Sequence, residues 1–149
     1  MSRVYRLERA TEIAAPLAEI FPFFANAENL ERISPPWLRF RILTPLPIVM
    51  KEGTLIRYRL RLHGLSFAWT TRITTWEPPH RFVDEQLSGP FRQWVHEHTF
   101  EQREGRTLAR DKVDYIVPGG ALAHRLLVRS DLKKIFDFRE AVLQKLGTA

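Results

Sequence analysis

The stretch RQWVHEHTFEQREGRTLARDKVDYIV (residues 92–117) decides the fold. It reads as two strands, 92–103 and 107–117, folded on a two-residue turn at Glu104-Gly105. Counting back from Arg103 opposite Arg106 sets Trp94 against Tyr115, His96 against Val113, His98 against Asp111 and Phe100 against Ala109. All of these share one face. The other face sets Glu97 against Lys112, an opposite-charge pair suited to solvent. A slip of one residue would mix the two sets, so the pattern itself supports the register.

Working upstream, Gly89-Pro90-Phe91 reads as a three-residue loop after a strand at 81–88. It sets Gln86 against Trp94, Asp84 against His96 and Phe82 against His98. The inner face then carries two His–Asp cross-strand pairs, Asp84–His96 and His98–Asp111, among Trp69, Trp94, Phe100 and Tyr115. Polar groups in such a setting must satisfy one another.

Further strands read at 4–13, 38–43, 54–62 and 67–76. In the first, Tyr5, Leu7, Thr11 and Ile13 alternate with Arg6, Glu8 and Glu12. Pro16 suits the first turn of a helix whose stripe is Ile20, Phe21, Phe24 and Ala25. A second short helix is expected over 27–33, stopped before Pro35-Pro36. After Gly119-Gly120, the positions Leu122, Leu126, Val128, Leu132, Ile135, Phe136, Arg139, Val142, Leu143 and Leu146 trace one helical face. About 25 residues at 1.5 Å each give roughly 38 Å, enough to cross a sheet. The order is strand, two short helices, six strands and a long helix. That is α+β rather than parallel α/β, as one domain over 1–149.

With 149 residues, 44% hydrophobic and 27% charged, the composition is that of an ordinary globular domain. Cysteine is absent, which excludes disulfides, thiolate chemistry and cysteine-ligated zinc. The N-terminus has no apolar signal region and no stretch approaches a membrane span, so a cytoplasmic location is expected. The formal charge of +6 raises the question of an anionic partner. Arg39, Arg41, Arg57, Arg59, Arg61 and Arg72 fall on the outer face, where a weak anionic-surface contact competes with simple solvation. A four-residue loop at His63-Gly64-Leu65-Ser66 would set Arg57 against Arg72. The interleaved rings point inward and cannot stack on bases, which argues against nucleic acid. The apolar loop Pro45-Leu46-Pro47-Ile48-Val49-Met50 is expected to pack against the short helices, with a lid, an interface or a membrane-touching tip as alternatives.

The chain resembles the SRPBCC superfamily, which includes START lipid-binding domains, pollen-allergen-like carriers and polyketide aromatase/cyclases, and in particular its small bacterial members. The likeness rests on Phe82, Asp84-Glu85-Gln86, Gly89-Pro90-Phe91, Trp94, His96-Glu97-His98 and Phe100. Pro35-Pro36-Trp37, Asp111, Tyr115 with Pro118, and Phe136 with Arg139 fit as well. It implies a helix-grip fold, a seven-stranded antiparallel sheet curled around the C-terminal helix with a cavity between them. The superfamily hosts carriers, sensors and enzymes, so the likeness alone names no substrate.

The expected function is to hold an apolar, aromatic or lipid-like molecule in that cavity. The expected ligand-binding set is Tyr58, Trp69, Asp84, Gln86, Trp94, His96, His98, Phe100, Asp111, Tyr115, Leu132 and Phe136, with open space beside Ala109 and Val113. Three readings of the histidines compete. In one, His96 or His98 acts as general acid/base with Asp84 or Asp111 orienting it, as in a cyclase or dehydratase. In another, His96 and His98 share a metal with an aspartate. The plainest is a hydrogen-bonded network that orients a ligand, and it calls for no cofactor and no metal.

Overall fold

The computed structural model describes residues 2–147. Its elements run β1 (Tyr5–Ile13), α1 (Leu17–Phe24), 3-10 turns at Ala27–Leu30 and Pro36–Leu38, β2 (Arg41–Ile42), β3 (Leu55–Leu62), β4 (Leu65–Glu77), β5 (Arg81–Ser88), β6 (Gln93–Arg103) and β7 (Arg106–Ile116). A C-terminal helix follows in three segments: α2 (Gly120–Ala123), a π-helical turn (His124–Val128) and α3 (Arg129–Lys145). The seven strands form one antiparallel sheet in the order β1-β7-β6-β5-β4-β3-β2. Register shifts in β4, between Thr70 and Thr71 and between Ile73 and Thr75, are bulges of the kind that bend a strand and help a sheet curl.

The β6–β7 hairpin has the expected register throughout, from Arg103 opposite Arg106 to Trp94 opposite Tyr115. Its turn places Glu104 at φ 50° and Gly105 at φ 77°, the paired positive values that match a two-residue turn to strand twist. Between β5 and β6, Phe82 faces His98 and Asp84 faces His96 as expected. The ladder ends at Glu85 opposite Val95, so Gln86 does not pair with Trp94. Its side chain caps the loop instead: Nε2 donates to the Phe91 carbonyl at 2.6 Å and Oε1 accepts from the Phe91 N–H at 3.1 Å.

Three expectations for the first half of the chain are corrected. The second short helix is a 3-10 turn over Ala27–Leu30, opened by Asn26, whose side chain accepts from the Glu28 N–H. The strand expected at 38–43 shrinks to Arg41–Ile42, because Pro36 begins another 3-10 turn and Arg39 ends it in a left-handed conformation, φ 48°. Finally, β3 and β4 are joined by a two-residue turn, His63-Gly64, with φ 50° and 78°. Arg57 therefore faces Thr70, and Arg72 faces Leu55. The shift is even, so no side chain changes face.

The helix lies across the inner face. Leu132 and Phe136 are buried in one cluster with Trp69, Trp94, Val113 and Tyr115, and Ile135 packs at its margin. Leu143 joins a second cluster with Phe21, Phe24, Phe82, Phe100 and Ala109. Ion pairs from Arg9 on β1 to Asp137 and Glu140, at 2.8 and 3.3 Å, fasten the helix to the sheet's edge. In the 45–50 loop, Leu46 and Val49 are exposed rather than packed, while Met50 reaches the interior cavity. No helix among the described residues is long and apolar enough to cross a membrane.

Candidate functional site

Between the two apolar clusters lies a polar layer. Strand alternation brings Asp84, His96, His98 and Asp111 inward from β5, β6 and β7. The directly opposite pairs are the longer ones, His98 Nδ1–Asp111 Oδ1 at 3.5 Å and His96 Nδ1–Asp84 Oδ2 at 3.9 Å. His96 Nε2 donates to Asp111 Oδ1 at 2.8 Å, and His98 Nε2 donates to Asp84 Oδ2 at 2.5 Å. The expected cross-strand pairs stand opposite one another, but the shortest bonds run diagonally. Each imidazole reaches diagonally, because the two rings stack on each other, 3.7 Å between centroids, and point their Nε2 atoms to opposite sides. His98 is also stacked on Phe82 at 4.1 Å.

A fifth member comes from the helix. Arg139 Nη2 lies 3.1 Å from Asp111 Oδ1 and 3.4 Å from His98 Nδ1. Its side chain is buried almost as fully as that of Asp111. The sequence reading placed Arg139 on the helix's inward face but gave it no role. The signal was there: a guanidinium in an apolar stripe, facing a sheet with two inward carboxylates, must pair with one of them.

Burial opposes ionisation of Asp111. The Arg139 charge and the bonds from His96 and His98 outweigh it and hold the carboxyl well below the usual 3.8. Asp84 is lowered too: burial works against this, but the His98 hydrogen bond and the charges of His96 and His98 prevail. Burial pushes His96 below its usual 6.5, and neighbouring His98 adds to the effect. For His98 burial again works downward, but bonds to Asp111 and Asp84 raise its proton affinity. Stacked rings do not share two positive charges cheaply, and of the two His98 has the higher proton affinity. When His98 is neutral, its Nδ1 accepts from Arg139. When protonated, that nitrogen turns to Asp111 Oδ1, 3.5 Å away.

Asp84, His96 and His98 also bring one ligand atom each to within 4.8 Å of one another, close enough to hold a metal ion. The donor chemistry fits poorly. Both Nε2 atoms are already bound to carboxylates, and the Arg139 charge against the cluster opposes a dication.

The layer borders a cavity of about 190 Å³ between sheet and helix. Tyr58, Trp69, Asp84, Trp94, His96, His98, Leu132 and Phe136 line it, with Phe91, Leu60, Ile56 and Arg139 among further contributors. Four residues of the expected set stand elsewhere. Gln86 caps its loop, and Phe100 packs in the second cluster against Phe21 and Phe24. Asp111 sits behind the imidazoles. Tyr115 bonds His124 at 2.7 Å, and the His124 ring stacks on Tyr5. No space opens beside Ala109 or Val113 either, since the α1 phenylalanines and the Trp94–Phe136 cluster fill it. The cavity lies instead toward β3 and β4, where it also meets the 3-10 turns at Leu30 and Leu38.

Comparison with known proteins gives a consistent picture. The Zhui aromatase/cyclase from Streptomyces sp. R1128 superposes with a TM-score of 0.77 at 16% identity, covering 98% of this chain and 94% of that one. Protein Ms6760 from Mycobacterium smegmatis gives 0.70 at 21%, covering 96% and 90%. A START superfamily protein from the same organism gives 0.66 at 17%, covering 95% and 98%. At these identities the likeness speaks for the helix-grip fold alone. No curated protein matches the sequence. A family model, described as polyketide cyclase/dehydrase and lipid transport, matches residues 13–139. With most of its length inside that match, the chain belongs to the polyketide cyclase/dehydrase and lipid transport family.

Proposed function

We propose that the protein holds one apolar small molecule, aromatic or lipid-like, in the cavity between sheet and helix, as a carrier or sensor. The carrying observation is the cavity's make-up: aromatic and aliphatic walls with a short polar layer, the composition by which a site gains affinity from burial and orientation from a few fixed groups. Native mass spectrometry of gently purified protein tests it by seeking a stoichiometric ligand. A small neutral two-ring dye such as Prodan should bind saturably at about one site, and Leu60→Trp, which fills the cavity from β3, should abolish binding while circular dichroism stays unchanged. Undiminished dye binding by a folded Leu60→Trp variant would move the site elsewhere.

A second reading, an acid–base enzyme of cyclase or dehydratase type, draws on one observation. Each imidazole is held by a carboxylate that fixes its tautomer, and His96 keeps Nδ1 without a close hydrogen bond, 3.9 Å from Asp84. The copurified molecule decides between the two. A carrier returns it unchanged on prolonged incubation, whereas an enzyme converts it and loses that conversion, but not binding, in His96→Asn.

A further inference from the structure

We infer that the cavity's ligand is an aromatic cation, a one- or two-ring system bearing a protonated amine that is received by Asp84. The inference rests on the ligand-binding reading above and narrows it to a chemical class. Size sets the first limit. A cavity of about 150 Å³ takes benzene, so about 190 Å³ admits a small ring system with a short arm rather than a long acyl chain or a four-ring skeleton.

The unspent hydrogen-bonding capacity sets the second. Asp84 lines the cavity, and its side chain is 18% exposed, against 6% for Asp111. Its Oδ2 accepts from His98, while Oδ1 has no bond among the described residues. That free carboxylate oxygen asks for a donor. Tyr58 stands in the same wall, where burial together with the Asp84 charge resists ionisation of its phenol.

The guanidinium in the same wall is already engaged. Among the described residues, Arg139 is the one arginine or lysine lining the cavity, and its Nη2 is held by Asp111. Its Nε lacks a partner, but that atom is sealed from solvent and from the cavity. A carboxylate or phosphate headgroup at this point would meet the Asp84 charge, while the Arg139 charge is already shared with Asp111 and His98. An ammonium meets the carboxylate and the faces of Tyr58, Trp69, Phe91 and Trp94, which pack ring against ring at 4.8–5.8 Å. Electron-rich faces around a carboxylate are a favourable setting for a desolvated organic cation.

Calorimetry with three probes of matched shape tests this at neutral pH: naphthylethylamine, naphthylethanol and naphthylacetate. The amine should bind about tenfold or more tightly than the alcohol, with the carboxylate weakest. Asp84→Asn should cut the amine's advantage over the alcohol to less than about threefold. An alcohol or carboxylate that equals the amine overturns the assignment of ligand class, with the cavity reading still standing if the dye binds. Loss of dye and all three probes from the unaltered protein removes both. Should Asp84→Asn fail to fold, the ranking of probes on the unaltered protein decides alone.

Discussion

At Asp111 two positive or polar partners converge on one buried carboxylate, and removing it strands both. Asp111→Ala leaves Arg139 charged and unpaired, so it should cost roughly 3–5 kcal/mol in urea melts. Asp111→Ala with Arg139→Met should cost less than the two single changes added together, because the second change removes the stranded charge. The carboxyl's lowered proton affinity gives this a pH signature. A group whose folded pKa is depressed contributes stability above its unfolded value and loses it as pH falls through the folded value. The native protein should therefore lose stability steadily below about pH 3.8, and Asp111→Asn should show a shallower acid limb in the same melts. An identical limb would place the acid sensitivity elsewhere. The four sheet members of this layer were legible from strand parity alone. Their actual bonding was not, because parity places Cα atoms opposite one another and says nothing of two rings stacking and reaching diagonally. Arg139 was hidden for another reason: it arrives from the helix, and no register counted along the sheet connects the two.

Elements show the same division between local rules and tertiary detail. The Glu104-Gly105 turn was readable because such turns have a known residue chemistry, yet its first position is a glutamate at φ 50°. Glu104→Asn, which tolerates that conformation better, should raise the melting point slightly, by about 0.5–1 kcal/mol in stability. The β3–β4 turn is of the same kind, but a histidine at its first position is a weaker turn signal, so the sequence points to a four-residue loop there. At the β5–β6 loop, a Cβ on Gly89 would fall 2.5 Å from Gln86 Oε1. Gly89→Ala should therefore expel the Gln86 side chain and break both bonds to Phe91, costing about 1–3 kcal/mol. Phe91 packs on Trp69 and Trp94, so the tryptophan emission should change as well. A melt change without an emission change would mean that the loop and the cavity wall are independent.

For the molecule as a whole, fold class and chain order followed from periodicity, whereas the position of the cavity depended on which side chains fill the interior. Charge is the remaining global feature. The net +6 is spread unevenly, and β2 and β3 set Arg41 directly against Arg59, both exposed, with Arg57 and Arg61 on the same strand. None of the four has an acidic partner among the described residues; Arg59 makes one side-chain bond, to Ser66. Like charges at directly opposed positions repel, and screening weakens that repulsion within a Debye length of about 10 Å at 0.1 M salt. Raising sodium chloride from low to near-physiological concentration should therefore raise the melting point rather than lower it, unlike a surface held by ion pairs. Arg59→Glu turns the opposed pair attractive, worth roughly 0.2–1 kcal/mol, and should blunt the gain from salt. If salt lowers the melting point, the ion pairs that fasten β1 to the helix outweigh the arginine face. If Arg59→Glu responds to salt like the parent, the repulsion on this edge is already relieved by solvent.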